Sequence, residues 1–204
     1  MVLLDSVVMN PVQTAVIVID VQNDFCLDEP GNSYFDRQVR EVRDDLAPMQ
    51  AMVVHHLIPF IERVRTAGGP IVYIQSCYHE GQYADMPHLC LEGTQGWELY
   101  LHPQTGNERV VRKHVYNTFE DTELENHLID RQINSLLIGG FTTDRCIRET
   151  AYASLRKGFT SVVMRDCVST AGYKLATAHP QALQEFAAHE SIRLIDSINI
   201  EFRR

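Results

Sequence analysis

TAVIVID, residues 14–20, is a continuous apolar, β-branched run that ends on an acid, the pattern of a strand buried on both faces. A turn-rich stretch follows: residues 28–45, DEPGNSYFDRQVREVRDD, are charged and carry Pro30, Gly31 and Asn32, so they read as a surface excursion. From Leu46 the apolar spacing turns helical through Met49, Val53, Leu57, Ile61 and Val64. Pro59 interrupts it, which predicts a short helix before the proline and a firmer one from there to Ala67. AGGP ends that helix and launches IVYIQSC (71–77), a second buried strand. Residues 78–108 have no clear period and scatter Gly81, Pro87, Gly93, Gly96, Pro103 and Gly106, the composition of a long functional or mobile loop. Beyond it, RVVRKHV (109–115) reads as a short strand, DTELENHLID (121–130) as a helix capped by Asp121 or Thr122, and SLLIGG (135–140) as another apolar strand. Ile147, Ala151 and Leu155 then share one helical face, SVVMRD (161–166) is the next strand, and a helix through Leu183 and Phe186 precedes SIRLID (191–196).

Strand and helix alternating in this way imply a parallel sheet with right-handed crossovers and helices on both faces. The expected architecture is a three-layer α/β/α fold with a mostly parallel sheet of about six strands, in a single domain over 1–204; no internal repeat or low-complexity segment interrupts it. Hydrophobic residues make up 45% and charged residues 22%, a globular balance, and no apolar run approaches the roughly 18 residues of a membrane span. MVLLDSVVMN has no basic n-region and is broken by Asp5 and Asn10, which makes a cytoplasmic location the default. Five widely spaced cysteines with no C-x-x-C read as free thiols rather than a disulfide framework or a zinc site. A net charge of −9 argues against a polyanionic partner, so no nucleic acid and no membrane is expected, and the partner is a small molecule. The longest basic cluster, RVVRKH, has a Val-Val interior and looks like a strand, not a phosphate-binding patch.

In open parallel sheets, ligands bind outside the carboxyl ends of the strands. Asp20 closes the first strand, Lys113 lies on the short strand taken here as central, and Cys146 follows SLLIGG. Taken singly, each has an ordinary role: a turn-forming acid, a solvated charge, a packed thiol. If Thr143 is the helix N-cap, Cys146 occupies N3, where unpaired N–H groups and the macrodipole favour an anion and lower a thiol pKa. The same N–H groups suit a developing oxyanion, with a Gly-Gly pair loosening the turn that leads into them.

VIVIDVQNDF (16–25), VVRKHVYNTFEDTEL (110–124) and LLIGGFTTDRCIRETAYASLRKGFTSVVMRDCVST (136–170) resemble, in this order and spacing, the three signature regions of the isochorismatase-like cysteine hydrolases, over about residues 14–195. The resemblance implies a Rossmann-like sheet, a triad of Asp20, Lys113 and Cys146, and a non-proline cis peptide at Phe141–Thr142. It further implies an oxyanion hole made by the backbone amides of Thr142 and Cys146, and a homo-oligomer, a dimer or tetramer; no cofactor is expected. Substrate-binding candidates are Gln22 and Phe25 beside Asp20, Trp97, Tyr116 and Phe119 as pocket aromatics, Phe141, and Arg145, which stands before the nucleophile where the family often has a small or apolar residue and faces a substrate carboxylate, the outside or a subunit interface. Loops 28–57 and 78–108 would shape the pocket. Nicotinamidases in the family carry a D-x-H metal site; this chain offers DEPGNSYFD and SCYHEGQY instead, with only His79 suggestively placed and His55 and His56 pointing apart on a helix, so no metal is expected. Asp144 reads as a capping residue and His179 as marking a helix start. TTDRCIRETA looks closer to the amide- and ureido-cleaving members than to the isochorismatases. The alternatives are a hydrolase of a small vinyl ether, a non-catalytic binding or assembly subunit, and a flavodoxin-like ligand-binding domain; for the last, neither G-x-G-x-x-G nor G-x-x-x-x-G-K-[ST] is present.

Overall fold

Alternate residues of the first long strand are buried in two different cores, Val16 and Val18 in one and Ala15, Ile17 and Ile19 in the other. A strand sandwiched between two helical layers has to do this, because successive side chains point to opposite faces. The arrangement is seen in a computed structural model that describes residues 6–27, 39–83 and 89–203. After a short β1 (Val7–Met9), strands β2 (Thr14–Ile19), β3 (Ile71–Ser76), β4 (Glu108–Lys113), β5 (Ser135–Phe141), β6 (Thr160–Ser169) and β7 (Ile192–Ile195) form one sheet. Its order is β4-β3-β2-β5-β6-β7 and every neighbouring pair is parallel. β1 pairs with β8 (Ile200–Phe202) in a separate parallel ribbon that the sequence reading did not include.

Leu46 and Met49 of α2 (Val39–Met52) and Phe60, Ile61 and Val64 of α3 (Ile58–Ala67) join the first core. Leu124 and Leu128 of α4 (Leu124–Asp130), Ala151 of α5 (Arg148–Arg156), and Ala182 and Phe186 of α7 (Ala178–Ala188) join the second. Two short helices, α1 (Asn23–Cys26) and α6 (Gly172–Leu175), lie beyond the carboxyl ends of β2 and β6. Among the described residues, no helix is long and apolar enough to cross a membrane.

Several elements differ from the expectation. Helix α2 begins at Val39, inside the stretch read as a surface excursion, and residues 28–38 of that stretch lie outside the described residues. Pro59 does not separate two helices: α2 runs through a π-turn at Val53–Leu57 into α3, with the Ile58 amide bonded to the Val53 carbonyl. The widened turn leaves Pro59 in the first turn of α3, where its missing N–H is tolerated. Helix α4 starts at Leu124, because the Thr122 hydroxyl accepts the Leu124 amide at 3.3 Å and donates to the Thr118 carbonyl at 2.6 Å, forming a turn ahead of the helix. β6 extends three residues beyond Asp166, to Ser169.

The Gly139–Gly140 pair lies within β5 and loosens no turn. Gly140 has φ of +111° and a Cβ there would sit 2.1 Å from the Ile19 carbonyl oxygen, so the glycine permits a close approach of β5 to β2. β4 forms an edge of the sheet, so Lys113 is not on a central strand. Its burial comes from the segment after β3, whose Cys77 amide bonds the Lys113 carbonyl at 2.8 Å. The described parts of that loop are tied to α1: Asp24 Oδ2 accepts the Cys90 amide at 2.6 Å, the Asp24 amide donates to the Gly96 carbonyl at 2.9 Å, and Gly96 packs so tightly on Asp24 that a Cβ would fall 2.0 Å from its carboxylate.

Candidate active site

Numbering only the strands of the large sheet, the order is 3-2-1-4-5-6, which reverses between β2 and β5. A crevice opens at such a switch point because the flanking connections leave in opposite directions. Asp20 follows β2 in a left-handed conformation (φ 56°) that aspartate tolerates better than most residues, its amide held by the Ile74 carbonyl at 3.0 Å. Cys146 lies in a π-turn, Thr143–Ile147, that joins β5 to α5, and the peptide Phe141–Thr142 before it is cis. Lys113 ends β4 and reaches past the end of β3 to both: its Nζ is 3.0 Å from Asp20 Oδ2 and 3.3 Å from Cys146 Sγ. It also contacts the Val115 carbonyl at 3.2 Å and the Tyr78 hydroxyl at 3.3 Å, so an ammonium with three protons serves four acceptors. Asp20, Lys113 and Cys146 are 1%, 0% and 5% exposed, which places the charge pair in a low-dielectric setting.

That burial reverses one expectation about the thiol. Burial first, and the Asp20 carboxylate second, push Cys146 up to about 12, against the lowering effect of Lys113. The resting sulfur is a neutral thiol, because burial and then the carboxylate beside it outweigh the attraction of the Lys113 ammonium. Burial pulls Lys113 down, but the charge of Asp20, with the hydrogen bond to it, more than offsets that and holds the ammonium above its usual range. The helix start differs as well. Thr142 is the N-cap and Cys146 the fourth residue of the turn; the Thr143 hydroxyl is instead 2.9 Å from His179 Nδ1, in the first turn of α7. The Asp144 carboxylate accepts Thr170 Oγ1 at 2.9 Å and Lys174 Nζ at 3.0 Å, which ties α6 to the nucleophile turn. The Thr142 carbonyl accepts the amides of Arg145 and Ile147, on either side of Cys146.

A pocket partly open to solvent has Asp20 and Cys146 in its lining. Phe25, Tyr116, Thr142 and Arg145 line it as expected candidates, and the Arg145 guanidinium donates to the Tyr116 hydroxyl at 2.9 Å and lies over that ring. Four other candidates are elsewhere. Gln22 is buried and braces β3, donating to the Ser76 and Trp97 carbonyls at 3.0 and 2.7 Å and accepting the Ser76 amide at 2.8 Å. Trp97 donates to Cys77 Sγ at 3.1 Å with Arg112 over its ring. Phe119 stacks on Phe159 in the second core, its centroid 5.8 Å away. Phe141 is fully buried behind Phe25, at 5.7 Å.

The rest of the lining was not singled out residue by residue: Leu46, Met49, Tyr78 and Leu89 fall within 28–57 and 78–108, the segments expected to shape the pocket, whereas Thr170, Ala171, Tyr173 and Lys174 lie outside both. The strand-end rule that marked Asp20 applied equally to Tyr78, two residues beyond β3, and to Ser76, whose hydroxyl donates to Asp20 Oδ1 at 2.9 Å. No cluster of three or more His, Cys, Asp or Glu suited to a metal occurs among the described residues, which exclude DEPGNSYFD. His79 is exposed and stacks on His114. His55 and His56 both lie in the π-turn before α3, where His56 contacts Asp166 at 3.6 Å.

An isochorismatase domain model matches residues 14–195. The streptothricin hydrolase of Streptomyces noursei is 32% identical over 163 residues, 79% of this chain and 56% of that protein, so this chain spans little more than half the length of that relative. The ureidoacrylate amidohydrolase RutB of Caulobacter vibrioides is 27% identical over 189 residues, 80% of each chain. Among solved structures, the pyrazinamidase of Pyrococcus horikoshii in complex with zinc superimposes with a TM-score of 0.72 at 22% identity, covering 90% of this chain and 99% of that one, a likeness of fold.

Proposed function

We propose, from the premise that this chain belongs to the isochorismatase family, that it is a cysteine hydrolase that cleaves a non-peptide C–N bond in a small amide or ureido substrate through a thioester acyl-enzyme. One observation carries the reading: a thiol and a carboxylate held by one ammonium, all three almost fully buried, with the sulfur in the wall of a largely apolar pocket. In the proposed reaction Asp20 takes the proton of the neutral Cys146 thiol as Sγ adds to the substrate carbonyl. The backbone amides of Thr142 and Cys146 receive the resulting oxyanion. Asp20 then gives its proton to the departing ammonia or amine, and in the second half takes one from the water that releases the acid. Lys113 stays charged throughout and holds Asp20 by its Oδ2. Two relatives, the ureidoacrylate amidohydrolase and the N-carbamoylsarcosine amidase of Arthrobacter, are named for ureido and carbamoyl substrates, which favours that class here. On this reading the enzyme is a homo-oligomer, dimer or tetramer, that acts in the cytoplasm without a metal.

The test is ammonia release from carbamoyl amino acids, biuret, ureidoacrylate, maleamate, nicotinamide and simple aliphatic amides, with Cys146→Ala and a chelator in parallel. Turnover that the alanine variant abolishes and the chelator leaves unchanged is the expected result. Turnover that survives in Cys146→Ala refutes the nucleophile assignment, and turnover lost to the chelator refutes the metal-free chemistry.

A further inference from the structure

Tyr78 is not needed for the three-residue mechanism, yet its hydroxyl stands among all of its parts. It is 3.3 Å from Lys113 Nζ, 2.9 Å from Ser76 Oγ and 3.9 Å from Cys146 Sγ, the last at the outer limit of a hydrogen bond to sulfur. Ser76 Oγ is in turn 2.9 Å from Asp20 Oδ1. The proton count decides who donates. Lys113 can only donate, so Tyr78 accepts from it, and Ser76 has one proton, which belongs on the carboxylate. In the resting state, then, the Tyr78 hydroxyl donates to Ser76 Oγ, the Ser76 hydroxyl donates to Asp20, and the sulfur, still a thiol, receives no proton from the tyrosine.

We infer that Tyr78 is a further catalytic residue, whose O–H turns from Ser76 to the Cys146 sulfur as the thiolate forms; the inference rests on Cys146 being the nucleophile. No covalent bond to the tyrosine breaks. The Cys146 proton passes to Asp20, and Tyr78 exchanges one hydrogen bond, to a neutral hydroxyl, for a stronger one to an anion. The swap needs only rotation about the C–O bond, since Ser76 and Cys146 are both within reach. Burial, with the charges of Cys146 and Asp20 adding to it, raises the tyrosine well above its usual pKa, so it keeps its proton beside a thiolate. Lys113, donating to the same oxygen, polarises the O–H further. The ring itself is fixed by an edge contact with Tyr83 at 5.0 Å and by Lys113 over its face at 5.6 Å, neither of which involves the hydroxyl. Ser76 acts through Asp20 and is a positioning residue, held by Gln22.

The experiment is the rate of Cys146 alkylation by iodoacetamide at pH 9, read from the mass of the Cys146 peptide, in the wild type, Tyr78→Phe and Ser76→Ala. This reports on the sulfur with or without a known substrate. Loss of one donor to an anion predicts a rate about 10-fold to 100-fold lower in Tyr78→Phe. Ser76→Ala removes the competing acceptor and is expected to alkylate at the wild-type rate or faster. A wild-type rate in Tyr78→Phe, or an equal fall in Ser76→Ala, overturns the inference, because the hydroxyls would then act together through Asp20. Thermal unfolding of both variants separates a fall in rate from a loss of fold. Survival of ammonia release in Cys146→Ala is a different outcome, and marks failure of the nucleophile reading itself.

Discussion

Replacing Lys113 with methionine, of similar length but uncharged, is expected to cost the fold about 3–5 kcal/mol, because it leaves the Asp20 carboxylate buried without its counter-ion. The scale follows from the contact: at 3.0 Å and an effective dielectric of about 20, the attraction is roughly 5.5 kcal/mol. Burial of both groups offsets part of it while the pair is intact. With the lysine gone the carboxylate keeps its own desolvation cost and is left with weaker partners, the Ser76 hydroxyl at 2.9 Å among them. The assay is urea unfolding at pH 7.5 of the wild type, Lys113→Met, Asp20→Asn and the double variant. The double variant buries no unmatched charge, and is expected to lose at least about 1.5 kcal/mol less than the sum of the two single losses. Single losses that add to within about 0.5 kcal/mol would show that the two groups do not interact in the folded protein, and the electrostatic account of the site would fail with them.

Asp20→Asn should separate reactivity from turnover: removing the carboxylate that helps raise the thiol, while keeping the Lys113 that lowers it, makes Cys146 alkylate faster at pH 7.5 while ammonia release falls roughly 100-fold or more. Unchanged alkylation would contradict the stated cause of the raised thiol. Stability should also depend on pH through Cys146. A thiol raised from 9.0 to about 12 on folding is an acid whose proton the folded state keeps longer, so its contribution is intact below pH 9 and is lost as the pH climbs toward 12. Wild-type protein should therefore lose about 1.4 kcal/mol per pH unit more than Cys146→Ala in that window, measured by urea unfolding; parallel curves would place the folded thiol near its ordinary value. Phe119→Ala should cost about 3–5 kcal/mol of stability and leave KM unchanged, since the ring packs against Phe159 away from the pocket. A raised KM at unchanged stability would return it to the substrate.

The strands were readable because a parallel sheet covered on both faces needs unbroken apolar runs, and TAVIVID, IVYIQSC and SLLIGG are such runs. Asp20 was readable for a related reason, since a polar residue where an apolar run stops lies at a strand end, and Cys146 because it stands in the turn that follows such a run. Resemblance of the three motif blocks supplied the pairing of these residues with Lys113. Everything that depends on which strand lies beside which came from the tertiary structure: β4 at the edge of the sheet, Lys113 reaching past β3, and Ser76 and Tyr78 drawn into contact with residues 56 and 68 positions away. Aromatic identity could not separate Tyr116, in the pocket wall, from Phe119, in the core three residues later. Local pattern suggested an acidified thiol from the helix start, and the fold decided the opposite, because desolvation and a carboxylate brought from another strand outweigh the attraction of the Lys113 ammonium. A chain's own sequence carries its periodicity and its strand ends; the pKa of a side chain is set by the charges and the water that folding brings to it or takes away.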